Sequence, residues 1–134
     1  MTAERRLHLS ICKYLAMQYP GTIFTTESSG LSLSMGFNAL LARLRSSPSL
    51  PDLWIMKPKV DDDTVYCGMM LEIKASRSDA FRKDGSLRQL AHIHEQNATI
   101  SEFIGLGYFA RFVCGFDEAQ KTIDWYMKLT DFKI

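Results

Sequence analysis

One hairpin constrains this chain more than any other feature. Leu53, Trp54, Ile55 and Met56, and then residues 65 to 74, form two runs rich in apolar, β-branched and aromatic side chains. Both are too short for ordinary helices and read as strands. Pro58 and the run Asp61, Asp62 and Asp63 supply the turn between them. With Asp62 near the turn centre, antiparallel pairing sets Asp52 opposite Glu72. The two-residue period of a strand then puts Lys74 on the same face as Glu72.

Two carboxylates facing each other across a sheet repel, so the arrangement makes sense chiefly with a cation between them. Hard oxygen donors without a Cys/His cage favour Mg²⁺ or Mn²⁺. Such an ion polarises a phosphoryl oxygen and lowers the pKa of a water, while the Lys74 ammonium orients that water or stabilises the developing charge. A plainer reading makes Glu72 and Lys74 an ordinary charged pair and Asp52 a turn residue after Pro51. Against it, these charges interrupt a strand so apolar that it reads as covered on both faces, where unpaired charges are costly.

The rest of the composition sets bounds. The chain has 134 residues, 46% of them apolar, enough for a single domain over residues 1–134 with a real core. A net charge of +1 does not announce nucleic acid. Residues 74 to 88, however, carry Lys74, Arg77, Arg82, Lys83 and Arg88 against Asp79 and Asp84. That local basic edge suits a phosphate backbone, or is simply a solvated loop. No stretch is apolar enough to span a membrane and the N-terminus does not read as a signal peptide, so a soluble, cytoplasmic protein is expected. Cys12, Cys67 and Cys114 are odd in number and widely spaced, which favours reduced core residues over a disulfide frame or a zinc site.

The elements follow in order. Thr2 caps a first helix with Glu4 in its first turn and Leu7, Ile11, Tyr14, Leu15 and Gln18 at helical spacing, stopped by Pro20 and Gly21. Ile23, Phe24 and Thr25 make a short strand, residues 27 to 36 a polar loop, and residues 37 to 45 a helix. After the hairpin, Asp84 and Gly85 suit a type I′ turn in a small flap. A long helix is expected over 87–104, with Leu90, Ile93, Ala98, Ile100 and Ile104 in the core and Gly105 and Gly107 ending it. Residues 108 to 114 read as a strand, added parallel to the sheet, and Asp117 caps a last helix carrying Ile123, Tyr126 and Met127. The result is an α/β fold, a mixed sheet flanked by helices in the order αβ(α)ββαβα.

These residues together resemble a known family. Glu4 precedes the first helix; Ala42, Arg43, Leu44 and Arg45 lead toward Pro51, Asp52 and Leu53; Tyr66, Cys67 and Gly68 precede Leu71, Glu72, Ile73 and Lys74. Asp84-Gly85, then His92, Ile93, His94, Glu95 and Gln96, then Gly107, Tyr108, Phe109 and Ala110, and finally Gly115, Phe116 and Asp117 complete the series. The chain is similar in this to the VRR-NUC nucleases of the PD-(D/E)xK superfamily, and most to their small stand-alone phage and bacterial members. The resemblance implies a divalent-metal-dependent endonuclease using Mg²⁺ or Mn²⁺. Asp52 and Glu72 would be metal ligands, the Ile73 main-chain carbonyl a third, and Lys74 the catalytic lysine. Glu4 would match the first-helix acid that completes the site, and Gln96 the helix glutamine that supports the lysine or the water. Arg77, Arg82, Lys83 and Arg88 are candidate DNA contacts.

Stand-alone members of that family include homodimers that cut branched DNA, four-way junctions above all, so DNA and a second copy are the expected partners. Where the family has a glycine before the Pro-Asp pair this chain has Ser49, and that loop is expected to run differently. His92 and His94, two apart on a helix, point to different sides and do not share a metal. The alternatives are a non-catalytic DNA-binding or inhibitor protein on the same scaffold, and a small-molecule α/β domain. The latter lacks the glycine-rich phosphate loop it would usually show.

Overall fold

Burial on both faces of one strand organises the molecule. The computed structural model describes residues 1–27, 34–46 and 49–133. Its main sheet has four strands in the order β1-β2-β5-β6: β1 (Phe24–Thr26), β2 (Leu53–Ile55), β5 (Met69–Lys74) and β6 (Phe109–Cys114). β5 pairs antiparallel with β2 and parallel with β6, and all six of its residues are buried. Its alternating side chains sort into two layers. Met69, Leu71 and Ile73 pack with Ile11 and Leu15 of α1 (Ala3–Gln18) and with Ala119, Ile123 and Tyr126 of α4 (Gly115–Met127). Met70 packs on the other side with Ile93 and Ile100 of α3 (Ala91–Gly105) and with Ala110 and Phe112 of β6. Glu72 and Lys74 follow Met70 at the strand period and share the α3 side.

The central hairpin differs from a simple pair of long strands. Leu53 pairs with Leu71 and Ile55 with Met69, but the intervening chain forms a second sheet in the order β4-β3-β7, from β3 (Lys59–Asp61), β4 (Thr64–Tyr66) and β7 (Thr130–Asp131). Lys59 pairs with Tyr66 there, so residues 56 to 58 face only residues 67 and 68 and the register slips by one. Pro58 has no N–H to carry the ladder onward. At Gly68 the strands come so close that a Cβ would lie 2.9 Å from the Ile55 carbonyl oxygen. Asp62, with φ 51°, and Asp63 close the two-residue turn between Asp61 and Thr64.

Elsewhere several expected boundaries shift. Thr2 does cap α1, accepting from the Arg5 N–H at 3.2 Å. The loop expected over 27–36 lies mostly outside the described residues, as do residues 47 and 48 on the approach to Pro51. Ser49, just beyond them, donates to Glu95 at 3.3 Å. α2 (Met35–Arg43) starts earlier than expected, capped by Ser34, and buries none of its residues. α3 starts at Ala91 rather than 87, because Phe81 and Leu87 bridge to close a small hairpin. Its tip is not a type I′ turn: Gly85 is in the left-handed region (φ 87°) but Asp84 is not, and type I′ needs both central residues there. Leu90 is the residue before α3, Ala98 lies on the far side from Ile93, and Ile104 is in the last turn; all three are exposed, and Thr99 is buried instead. Cys114, not Asp117, occupies the cap position of α4, with Asp117 inside the first turn. The cysteines are free, but Cys67 is exposed and Cys12 and Cys114 only half-buried, so none is a core residue. Among the described residues no helix is long and apolar enough to cross a membrane.

A buried lysine ties the second sheet to the end of α4. Lys59, 3% exposed, donates to the Met127 carbonyl at 2.8 Å, the Leu129 carbonyl at 3.0 Å and Asp131 at 2.7 Å. A cation at a helix C-terminus satisfies carbonyls that the helix itself leaves open and complements the dipole. Lys59→Met is expected to lower stability by about 2–3 kcal/mol, the scale of charged hydrogen bonds lost from a buried site. A urea midpoint with unchanged slope checks this, and a change under about 0.5 kcal/mol would deny Lys59 that role.

Candidate active site

Extending the β2–β5 ladder one step past Leu53 and Leu71 sets Asp52 opposite Glu72. β2 has ended there, and the Asp52 side chain takes the place of a strand partner by accepting from the Ile73 N–H at 2.8 Å. On its other side the Asp52 carbonyl accepts from the Glu27 N–H, also at 2.8 Å, which continues the β1–β2 pairing. Pro51 is buried, and its carbonyl accepts from the Trp54 indole at 2.8 Å. Asp52 is therefore held from both neighbouring strands before any ligand is considered.

Glu72 is 4% exposed and Lys74 9% exposed. Burial, reinforced by the charge of Asp52 and a side-chain hydrogen bond with it, pushes the Glu72 carboxyl up to about 9. Lys74 opposes this and Glu4 adds to it. At neutral pH Glu72 therefore keeps its proton and donates it to Asp52. The Lys74 ammonium stands 3.8 Å from Glu72 and 5.9 Å from the Phe112 ring centroid, so an aromatic face shares in stabilising it.

Glu4 joins these residues from α1. It lines both a cavity of about 530 Å³ with Lys74, Ser78, Asp79, Arg88 and His92, and one of about 340 Å³ with His8, Thr26, Glu27 and Asp52. Donor atoms of Glu4, His8 and Asp52 all lie within 4.8 Å of one another. Carboxylate oxygens augmented by one imidazole are a donor set that fits a divalent ion.

The other candidate residues fall in different places. Gln96 lies three residues after Ile93 and four before Ile100, on the stripe of α3 that faces the sheet. Its amide oxygen is buried without a hydrogen-bond partner, though it lines neither of these cavities. The Ile73 carbonyl opens toward the same strand edge as its N–H, the edge of Asp52. Arg88 lines the Lys74 cavity and donates to the Ser78 carbonyl at 3.0 Å. Arg77 is engaged otherwise, 3.7 Å from Glu118 and 4.6 Å over the Phe81 ring. Arg82 and Lys83 are exposed at the hairpin tip, away from the carboxylates. His92 faces the Lys74 cavity whereas His94 pairs with Gln89 at 2.8 Å.

Two features escape sequence reading. His8 sits one turn after Glu4, and the i, i+4 spacing was the available signal. Glu27 forms an ion pair with Arg45 at 2.6 Å, with side chains 7% and 13% exposed, beside the Asp52 backbone. Only the acid directly after β1 hinted at it.

A solved structure described as a VRR_NUC domain protein matches 99% of this chain and 94% of its own, with a TM-score of 0.69 and 19% identity. The chain folds like a VRR_NUC domain. No protein-family model matches the sequence, and no curated protein does. The VRR_NUC-like fold brings β5, the end of β2 and the start of α1 to one place, and the carboxylates described above lie there.

A pH dependence follows from Glu72. Its carboxyl titrates near 4.5 when unfolded and near 9 when folded, so its favourable contribution is complete below about 4.5 and is lost as pH rises toward 9. In EDTA, stability should fall across that window by at most about 1.4 kcal/mol per pH unit relative to Glu72→Gln. Denaturant titrations of both proteins at several pH values check it, and parallel pH profiles would contradict the proton on Glu72.

Proposed function

We propose that the protein is a divalent-metal-dependent endonuclease that hydrolyses phosphodiester bonds in DNA. Its preferred substrates would be branched forms such as four-way junctions, met in replication, recombination or repair. The observation that carries this reading is the juxtaposition of half-buried Asp52 with buried Glu72, and of Lys74 on the same strand face as Glu72. Neither fold stability nor simple binding calls for two carboxyls pressed together beside a buried lysine.

Asp52, Glu72 and the Ile73 carbonyl would hold Mg²⁺ or Mn²⁺, with Glu4 completing the set. The ion would supply Lewis acidity at the scissile phosphate. Asp52, fixed by the Ile73 and Glu27 amides, needs no rearrangement to present an oxygen. Lys74 would set a positive charge against the phosphate as its negative charge grows, within a pocket whose burial strengthens that attraction. Gln96, whose amide oxygen lacks a partner, would position Lys74 or the attacking water. Arg88 on the cavity wall would hold a neighbouring phosphate, with Arg82 and Lys83 at the flap tip reaching a second and Arg77 lending charge to the same edge. A homodimer formed through exposed Met35, Phe37 and Leu40 of α2 would present two such sites to two strands.

Labelled duplex, flap and four-way-junction DNA incubated with Mg²⁺, Mn²⁺ or EDTA tests the proposal. Cleavage should need the metal, favour the junction, and drop by roughly two to three orders of magnitude in Lys74→Ala and Asp52→Asn. Arg88→Ala should instead weaken DNA binding and reduce its salt slope by about one. Binding without cutting under every metal would establish a non-catalytic DNA-binding protein instead.

A further inference from the structure

A ring nitrogen on the first helix lies close to two carboxylates without a partner of its own. Nε2 of His8 is buried and has no hydrogen-bond partner. Oε1 of Glu4 is 3.9 Å away, too far for a hydrogen bond. Buried polar atoms in folded proteins are almost always paired, so this nitrogen calls for a partner from outside the chain, a water or an ion. Glu4 and His8 are one turn apart on the same face of α1, and the N-terminal end of that helix is set over Asp52.

We propose that His8 is a nitrogen ligand to a divalent cation held jointly with Glu4 and Asp52, which makes the site selective for Mn²⁺ over Mg²⁺. The inference rests on the nuclease reading, because Asp52 and Glu4 belong to both ligand sets. The three donor atoms already lie within 4.8 Å of one another. An octahedral ion with ligands at about 2.1 Å places neighbouring donors about 3 Å apart and opposite donors about 4.2 Å apart, so side-chain rotations alone complete the set. Glu4, more than half exposed, is free to make that movement, whereas Asp52 is held by the Ile73 amide.

The chemistry of the donors sets the preference. Mg²⁺ takes oxygen ligands and sheds water reluctantly, and gains little from an imidazole. First-row transition ions bind imidazole better than Mg²⁺ does, and Mn²⁺, like Mg²⁺, also suits carboxylates. Glu4 also borders the cavity of Lys74 and Arg88, so an ion bound to it lies at the edge of the space into which a phosphate would enter.

Pulsed electron paramagnetic resonance on the full chain, stripped with EDTA and loaded with Mn²⁺, reads the ligand directly. The wild type should show modulation from a coordinated imidazole nitrogen, and His8→Ala should lack it. By calorimetry His8→Ala should bind Mn²⁺ at least about tenfold more weakly, the scale on which the surroundings of a metal site matter. Its Mg²⁺ affinity should change less than about threefold. Thermal melting in EDTA confirms that the variant is folded, and if it is not, the wild-type nitrogen signal decides alone. A wild type without nitrogen coupling, whose Mn²⁺ binding is lost in Asp52→Asn but kept in His8→Ala, would overturn the inference and leave the nuclease reading standing. Mn²⁺ binding indifferent to both substitutions would overturn both.

Discussion

Two carboxyl groups, half-buried Asp52 and buried Glu72, are forced together, and the geometry around them depends on how that contact is held. Their separation is not left to side-chain choice. Ladder pairing fixes the two backbones opposite each other, and the Ile73 and Glu27 amides fix Asp52 from both sides. Burial and the neighbouring Asp52 charge hold the Glu72 carboxyl above the usual carboxylate range, which relieves their repulsion. A proton in that position is a weak substitute for a divalent ion, which could engage both oxygens and release it. The site is thus built at some expense to the stability of the unliganded fold, a pattern expected where function rather than packing sets the residues.

β5 makes this possible. Its apolar residues alternate between a layer formed by α1 and α4 and a layer formed by α3, so the strand is firmly placed before its last residues depart from the apolar pattern. Glu72 and Lys74 then project on the α3 side, where Phe112 and the cavity under His92 receive the lysine. The start of α1 reaches the same point from the strand edge and adds Glu4 and His8. The Glu27–Arg45 ion pair closes the remaining side, next to the backbone that carries Asp52. Its burial suggests a positioning role, since a lone exposed pair would contribute little.

The part of this arrangement legible in the sequence was the part governed by short-range periodicity. A turn at Asp62 and a two-residue strand period are enough to set Asp52 against Glu72 and Lys74 beside Glu72, although periodicity alone gives no sign of the register slip at Pro58 and Gly68. The slip did not spoil the expectation, because the turn centre moved by only half a residue. What failed depended on partners remote in sequence. Lys59 looks like a surface residue until the end of α4 folds over it, and Val65 and Tyr66 look like part of β5 until β7 pairs beside β3. Leu87 looks helical until it bridges to Phe81. His8 carried a usable signal in its spacing from Glu4, but its buried, unpaired nitrogen is visible only in three dimensions.

The most direct test of the central claim is anomalous diffraction from crystals grown with Mn²⁺. A peak in contact with carboxylate oxygens of both Asp52 and Glu72, with the hydrogen bond between them broken, is the predicted result. No peak at that position at saturating Mn²⁺, with the two carboxyls still hydrogen-bonded to each other, would contradict it and leave the pair as an unusual element of the core.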